Sequence, residues 1–69
     1  MKDVILKERN RLPADNEYHY YDIPGHQIGM GVFETYDKKS DRTDYEYRYT
    51  IDGTETDIGD ILILLESLD

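Results

Sequence analysis

Along residues 43–52, TDYEYRYTID, tyrosine takes every second position, with Asp44, Glu46 and Arg48 set between Tyr45, Tyr47 and Tyr49. A period of two marks a strand with one face turned inward. Residues 27–36, QIGMGVFETY, carry a second strand pattern, and only the polar loop DKKSDR separates the two runs. Two strand signals across a short loop predict an antiparallel hairpin. Pairing Tyr36 with Thr43 sets the register: Ile28, Met30 and Val32 share a face with Ile51, Tyr49 and Tyr47, and Glu34 stands opposite Tyr45. The other face carries Gly29, Gly31, Phe33 and Thr35 against Thr50, Arg48, Glu46 and Asp44. A slip of one residue would set tyrosines against glycines, so the alternation itself supports this pairing. The tyrosine row is expected to line the buried side, each ring supplying apolar area and each hydroxyl reaching toward an edge. On the reverse face Gly29 and Gly31 leave bare backbone beside Phe33. That ring either packs across the gap on its own sheet or stands exposed as an anchor for a partner.

Upstream, EYHYYDI over 17–23 is rich in strand-favouring aromatics and predicts a further strand. It ends in Ile23-Pro24-Gly25-His26, which is type II turn chemistry. That turn twists the wrong way for an ideal two-residue hairpin, so a corner or a looser connection is expected there. In the last segment, GTETDIGDILILLESLD, Ile58, Ile61, Leu62, Leu65 and Leu68 fall on one helical face with Leu64 on its margin. Thr54 or Thr56 is expected to cap this helix, and Glu55, Asp57 and Asp60 suit the positive end of its dipole. Ile63 points away from the apolar stripe, among Asp60, Glu66 and Ser67. At the front, Val4, Ile5 and Leu6 are consecutive and fit neither period, leaving residues 2–12 as either a short strand or a pair of helical turns. The expected architecture is α+β. An antiparallel sheet of three strands, with four as the alternative, carries a C-terminal helix on its Tyr47, Tyr49 and Ile51 side, in one small acidic domain over residues 1–69.

Composition narrows the function. Sixty-nine residues without a cysteine leave packing, helped by any self-association, as the source of stability. No run approaches the roughly 18 apolar residues of a membrane span. MKDVILKERN breaks into charge after three apolar residues, unlike a signal peptide, so a soluble cytoplasmic protein is the expectation. The net charge of −8 is unevenly spread: residues 49–69 hold six acids and no Lys or Arg, whereas residues 37–48 balance at four against four. A field of one sign repels phosphate backbones and anionic lipid and speeds encounter with basic surfaces. It also keeps a small protein dispersed, which is the plainer account of it.

Chemistry finds little support. His19, Asp22 and His26 are zinc-ligating types at spacings of three and four, but Pro24-Gly25 breaks any helix that would align them. His19 and Asp22 also fall on opposite sides of a strand. The acidic stretch Asp52–Asp57 has glycine second rather than sixth and lacks the closing glutamate of a calcium loop. Ser40 and Ser67 lie in no nucleophile context, and the glycines of GHQIGMG precede no phosphate-receiving helix. No cofactor and no catalytic activity are expected. Tyrosines on a sheet suit base stacking, but Lys38, Lys39 and Arg42 are matched by Asp37, Asp41 and Asp44, so direct nucleic-acid binding lacks its electrostatic drive.

Protein recognition remains, in two versions. In the first, Asp52, Glu55, Asp57, Asp60, Glu66 and Asp69, joined by Asp15, Glu17 and Asp22, imitate a phosphate backbone and occupy a basic channel that normally holds nucleic acid. Phe33, Ile63 and the interspersed tyrosines supply desolvated contact. In size, charge and compactness the chain resembles the small acidic inhibitors that phages make against host nucleases and polymerases, a likeness of profile with no shared motif. In the second version the protein is a generic adaptor or a self-associating subunit, a homodimer included. Phe33, Ile63 or an edge strand then makes the contact, and the charge serves only solubility.

Overall fold

The computed structural model describes residues 2–68 and places six elements in chain order: α1 (Lys2–Arg9), β1 (His19–Ile23), β2 (His26–Asp37), β3 (Arg42–Ile51), β4 (Thr54–Thr56) and α2 (Ile58–Glu66). The strands form one antiparallel meander in the order β1-β2-β3-β4, so the fold is α+β with four strands. The central hairpin has the register set by the alternation, with Tyr36 opposite Thr43, Met30 opposite Tyr49 and Ile28 opposite Ile51. Pairing continues outward to Asp37 and Arg42, which shortens the loop to residues 38–41.

Both helices lie on the face carrying Ile28, Met30 and Tyr49. Ile61 and Leu65 of α2 and Ile5 of α1 join those residues and Ile23 in one buried cluster. Ile58, Leu64 and Leu68 pack around it, while Ile63 points outward at 69% exposure, as the helical period requires. Of the ambiguous front segment, residues 2–9 are helical. Only Ile5 of its apolar triplet reaches the core, and Val4 faces solvent. The α1 dipole is met by Asp3 in its first turn and by Lys7 and Arg9 in its last.

Three local expectations are corrected. Pro24-Gly25 forms neither a corner nor a loose connection: Ile23 pairs directly with His26, and Gly25 takes φ +84°, the value that position three of a type II turn needs. Residues 54–56 are a strand rather than a capping segment. Asp52 and Gly53 adopt φ of 53° and 83°, both in the left-handed region, and this turn matches strand twist and folds Thr54 back onto Ile51. The α2 N-cap is consequently Asp57, whose carboxylate accepts from the Asp60 N–H at 3.0 Å.

The largest correction concerns the tyrosine row. Tyr49 is 6% exposed, but Tyr47 is 46% and Tyr45 is 62% exposed on the same side of the sheet. The reason is length. Twelve residues of β2 extend about 40 Å, while nine residues of α2 rise only about 14 Å, so the helices cover one half of the hairpin. The other half overhangs, and the molecule measures 46 × 22 × 17 Å. At the boundary Arg9 donates from Nε to the Tyr49 hydroxyl at 2.6 Å and stacks over the Tyr47 ring at 5.3 Å.

Candidate interaction surfaces

Four of the acidic candidates follow one another along a single sheet edge. Asp52 stands in the turn before β4, Glu55 projects from β4 opposite Thr50, and Asp57 and Asp60 occupy the cap and first turn of α2. No Lys or Arg occurs anywhere from residue 49 to 68. Asp52 is fixed by two bonds: Oδ2 lies 2.6 Å from His26 Nδ1, and Oδ1 accepts from the Gln27 N–H at 2.9 Å. The His26 hydrogen bond, and after it the Gln27 amide, hold the Asp52 carboxyl below the ordinary aspartate range, so it stays ionised. Asp60 accepts from the Thr56 hydroxyl at 2.6 Å, which orients its carboxylate beside that of Asp57. The Glu55 side chain makes no hydrogen bond or ion pair among the described residues. The edge is therefore a carboxylate row with three members positioned by the fold and one free.

The remaining candidates lie elsewhere. Asp22 is on β1, the opposite edge of the sheet, within 3.4 Å of Gln27 Nε2. Glu66 sits at the far end of α2 and pairs with Lys2 at 3.4 Å, which offsets its charge. Ile63 is solvent-facing on α2, and Asp69 lies outside the described residues. Asp15 accepts from the Glu17 N–H at 3.2 Å and pairs with His19 at 3.0 Å, so His19 is turned away from Asp22. Among the described residues no three His, Cys, Asp or Glu side chains are grouped to hold a metal ion, and no cavity is enclosed.

Glu17 and Phe33 belong to the sheet face that no helix covers. There Phe33 packs 5.1 Å from the Tyr18 ring, Arg48 lies 4.5 Å above it, and Tyr18 is 6.4 Å from Tyr20. The glycines beneath are covered rather than bare. Phe33 and the Glu17 backbone close over Gly31, and Thr50 and Tyr20 close over Gly29. Phe33 is thus half-buried in a cation–π stack, which is how an aromatic beside glycine protects an uncovered sheet. Thr50 Oγ1, buried against Gly29, has no hydrogen-bond partner among the described residues.

Sequence reasoning missed the Arg9 contact with the tyrosine row, the Tyr18–Phe33–Arg48 stack and the His26–Asp52 link. The stack had a signal, since Tyr18 and Tyr20 alternate in step with Gly31 and Gly29 once β1 is paired. The link had none, because it depends on two turns meeting at one end of the sheet. No protein family, curated protein or solved structure matches the chain.

Proposed function

We propose that the protein is a non-enzymatic inhibitor that docks its Asp52–Asp60 edge on a basic, nucleic-acid-binding surface of another protein and blocks nucleic acid there. A phage-type anti-defence or host-takeover role in the cytoplasm fits this chemistry. The observation that supports it is the carboxylate row of Asp52, Glu55, Asp57 and Asp60, in a stretch without Lys or Arg, with His26 bonded to Asp52 at one end. Such a row adds attractive steering toward a positive channel and repulsion toward DNA and RNA themselves. Asp22, on the opposite edge, and Glu66, offset by Lys2, fall outside this contact. The tyrosine row contributes nothing to the reading, since Tyr45 and Tyr47 are exposed at the far half of the hairpin. No helix among the described residues is long and apolar enough to cross a membrane.

The experiment is displacement of a fluorescein-labelled oligonucleotide from a panel of purified DNA- and RNA-processing enzymes. Displacement from a panel member by the intact chain, with affinity falling steeply between about 50 mM and 300 mM salt, is the expected result. Partners that bind the chain while still holding the oligonucleotide, or binding indifferent to salt, would favour the adaptor. The half-exposed Tyr18–Tyr20–Phe33 face is the surface such an adaptor would use.

A further inference from the structure

From the uncovered half of the hairpin we infer that the tyrosine side of the overhang is an interface between two copies of this chain, related by a two-fold axis. Each hairpin tip then seats against the helix layer of the other copy. The molecule has a step: helices cover Ile28, Met30, Tyr49 and Ile51 on one sheet face, and beyond them Tyr36, Tyr45 and Tyr47 lie open on that same side. A two-stranded ribbon wet on both faces is marginal in water, yet this one continues in register for five pairs past Val32 and Tyr47. Two such steps interlock when one is turned through half a rotation, because a two-fold contact uses the same surface twice.

Charge selects a second copy as the occupant. With a net charge of −8, copies repel over most approaches, but residues 37–48 carry four acids and four bases. The tip presents Lys38 and Lys39, which make no ion pair among the described residues, and Arg42. At the foot of the overhang Arg9 lies over the Tyr47 ring, and two carboxylates stand on the β4 side. β4 runs back toward the tip and ends at Thr56 opposite Tyr49, which puts Asp57 and then Asp60 at the base of the step. Interlocking brings Lys38 and Lys39 of one copy's charge-balanced tip to Asp57 and Asp60 of the other. A 69-residue chain with no cysteine also belongs to the size class in which oligomerisation supplements a small core.

Three tyrosines at 46–62% exposure offer on the order of 300 Å² per copy. That is less than the roughly 800 Å² per partner of a standard interface, so the dimer is weak and reversible. The inference does not rest on the proposed inhibition; Asp57 and Asp60 belong to both contacts, while Asp52 and Glu55 lie outside this one.

Sedimentation velocity of the full chain from about 10 μM to about 1 mM tests it. Conversion from monomer to dimer across that range is expected, with the midpoint moved upward at least about tenfold by the double substitution Tyr36→Glu, Tyr45→Glu. Lys38→Glu with Lys39→Glu should also weaken it, most at low salt, while Ile63→Glu, on the outer side of α2, should leave the midpoint unchanged. All these positions are exposed, and circular dichroism checks that each variant stays folded. A chain monomeric throughout, a dimer indifferent to the tyrosine substitutions, or one abolished by Ile63→Glu would overturn the inference. So would a monomeric chain whose overhang is covered by a foreign protein.

Discussion

A single methyl group at Gly31 tests how the helix-free face is held. A Cβ there would intrude on the carbonyl oxygen of Glu17 and come within 2.9 Å of the Phe33 ring. The ring can turn aside, but the Glu17 carbonyl is backbone. Its segment is tied to β2 by the Asn16 N–H donating to the Val32 carbonyl at 3.2 Å and by the Glu34 N–H donating to Asn16 Oδ1 at 2.7 Å. Overpacking of this kind costs about 1–3 kcal/mol, and losing the two hydrogen bonds adds about 1–3 kcal/mol. Reduced chain entropy in the unfolded state returns about 0.4–1 kcal/mol. The net loss for Gly31→Ala spans about 1–6 kcal/mol and centres on about 2–4 kcal/mol, against a total of roughly 3–10 kcal/mol for a domain of this size. At about 4–8 °C per kcal/mol, Tm should fall by roughly 8–32 °C. Thermal and urea melts followed by circular dichroism read this directly, with the urea m-value unchanged. A Tm within about 2 °C of the wild type would refute the close crossing of residues 15–18 over β2.

Substitutions at three further positions probe other contacts. Thr50→Val removes a buried hydroxyl that has no partner, so stability should rise by about 1 kcal/mol in urea melts; a fall would reveal a partner for that oxygen. Asp57→Ala removes the α2 cap and should cost about 1 kcal/mol, whereas Asp57→Asn, an equally good cap, should cost far less; equal losses would contradict the capping role. The carboxyl of Asp52 titrates lower in the folded chain than in the unfolded one, through the His26 hydrogen bond first and the Gln27 amide second. Its stabilisation is therefore fully present above the unfolded value of about 3.9 and disappears as pH falls through the lower folded value. Urea stability of Asp52→Asn measured from pH 7 downward should show a flatter acid limb than the wild type, and superimposable limbs would contradict the His26–Asp52 bond.

The parts of the fold that were legible in the sequence are those decided by local period. The hairpin register follows from Ile28, Met30 and Tyr49 sharing a parity, and the outward aspect of Ile63 follows from the helical repeat of Ile61 and Leu65. Parity, however, assigns a face and does not say whether anything covers it. Tyr45 and Tyr47 share the face of Tyr49 but lie beyond the reach of a nine-residue helix, and so stay exposed. The front helix was illegible because Val4, Ile5 and Leu6 are consecutive and only the tertiary contact of Ile5 selects among them. β4 was hidden by its composition, since Thr-Glu-Thr suits a helix entry as well as a strand. The left-handed pair Asp52-Gly53 decides in favour of the strand. In the candidate site, the acidic run was visible as a run, but its division between the β4 edge, the Lys2 pair of Glu66 and the distant Asp22 required the topology.

The central claim is that carboxylates on the β4 edge, rather than aromatics on the helix-free face, make the functional contact. Its most direct measurement compares two variants in the oligonucleotide-displacement assay on whichever panel enzyme the wild-type chain inhibits. One variant combines Glu55→Gln, Asp57→Asn and Asp60→Asn, which keeps the cap and the fold while removing three charges; the other is Phe33→Ala. The account predicts at least about tenfold weaker displacement by the first and wild-type displacement by the second. Undiminished inhibition by the neutralised edge, together with loss on removing the Phe33 ring, would contradict it.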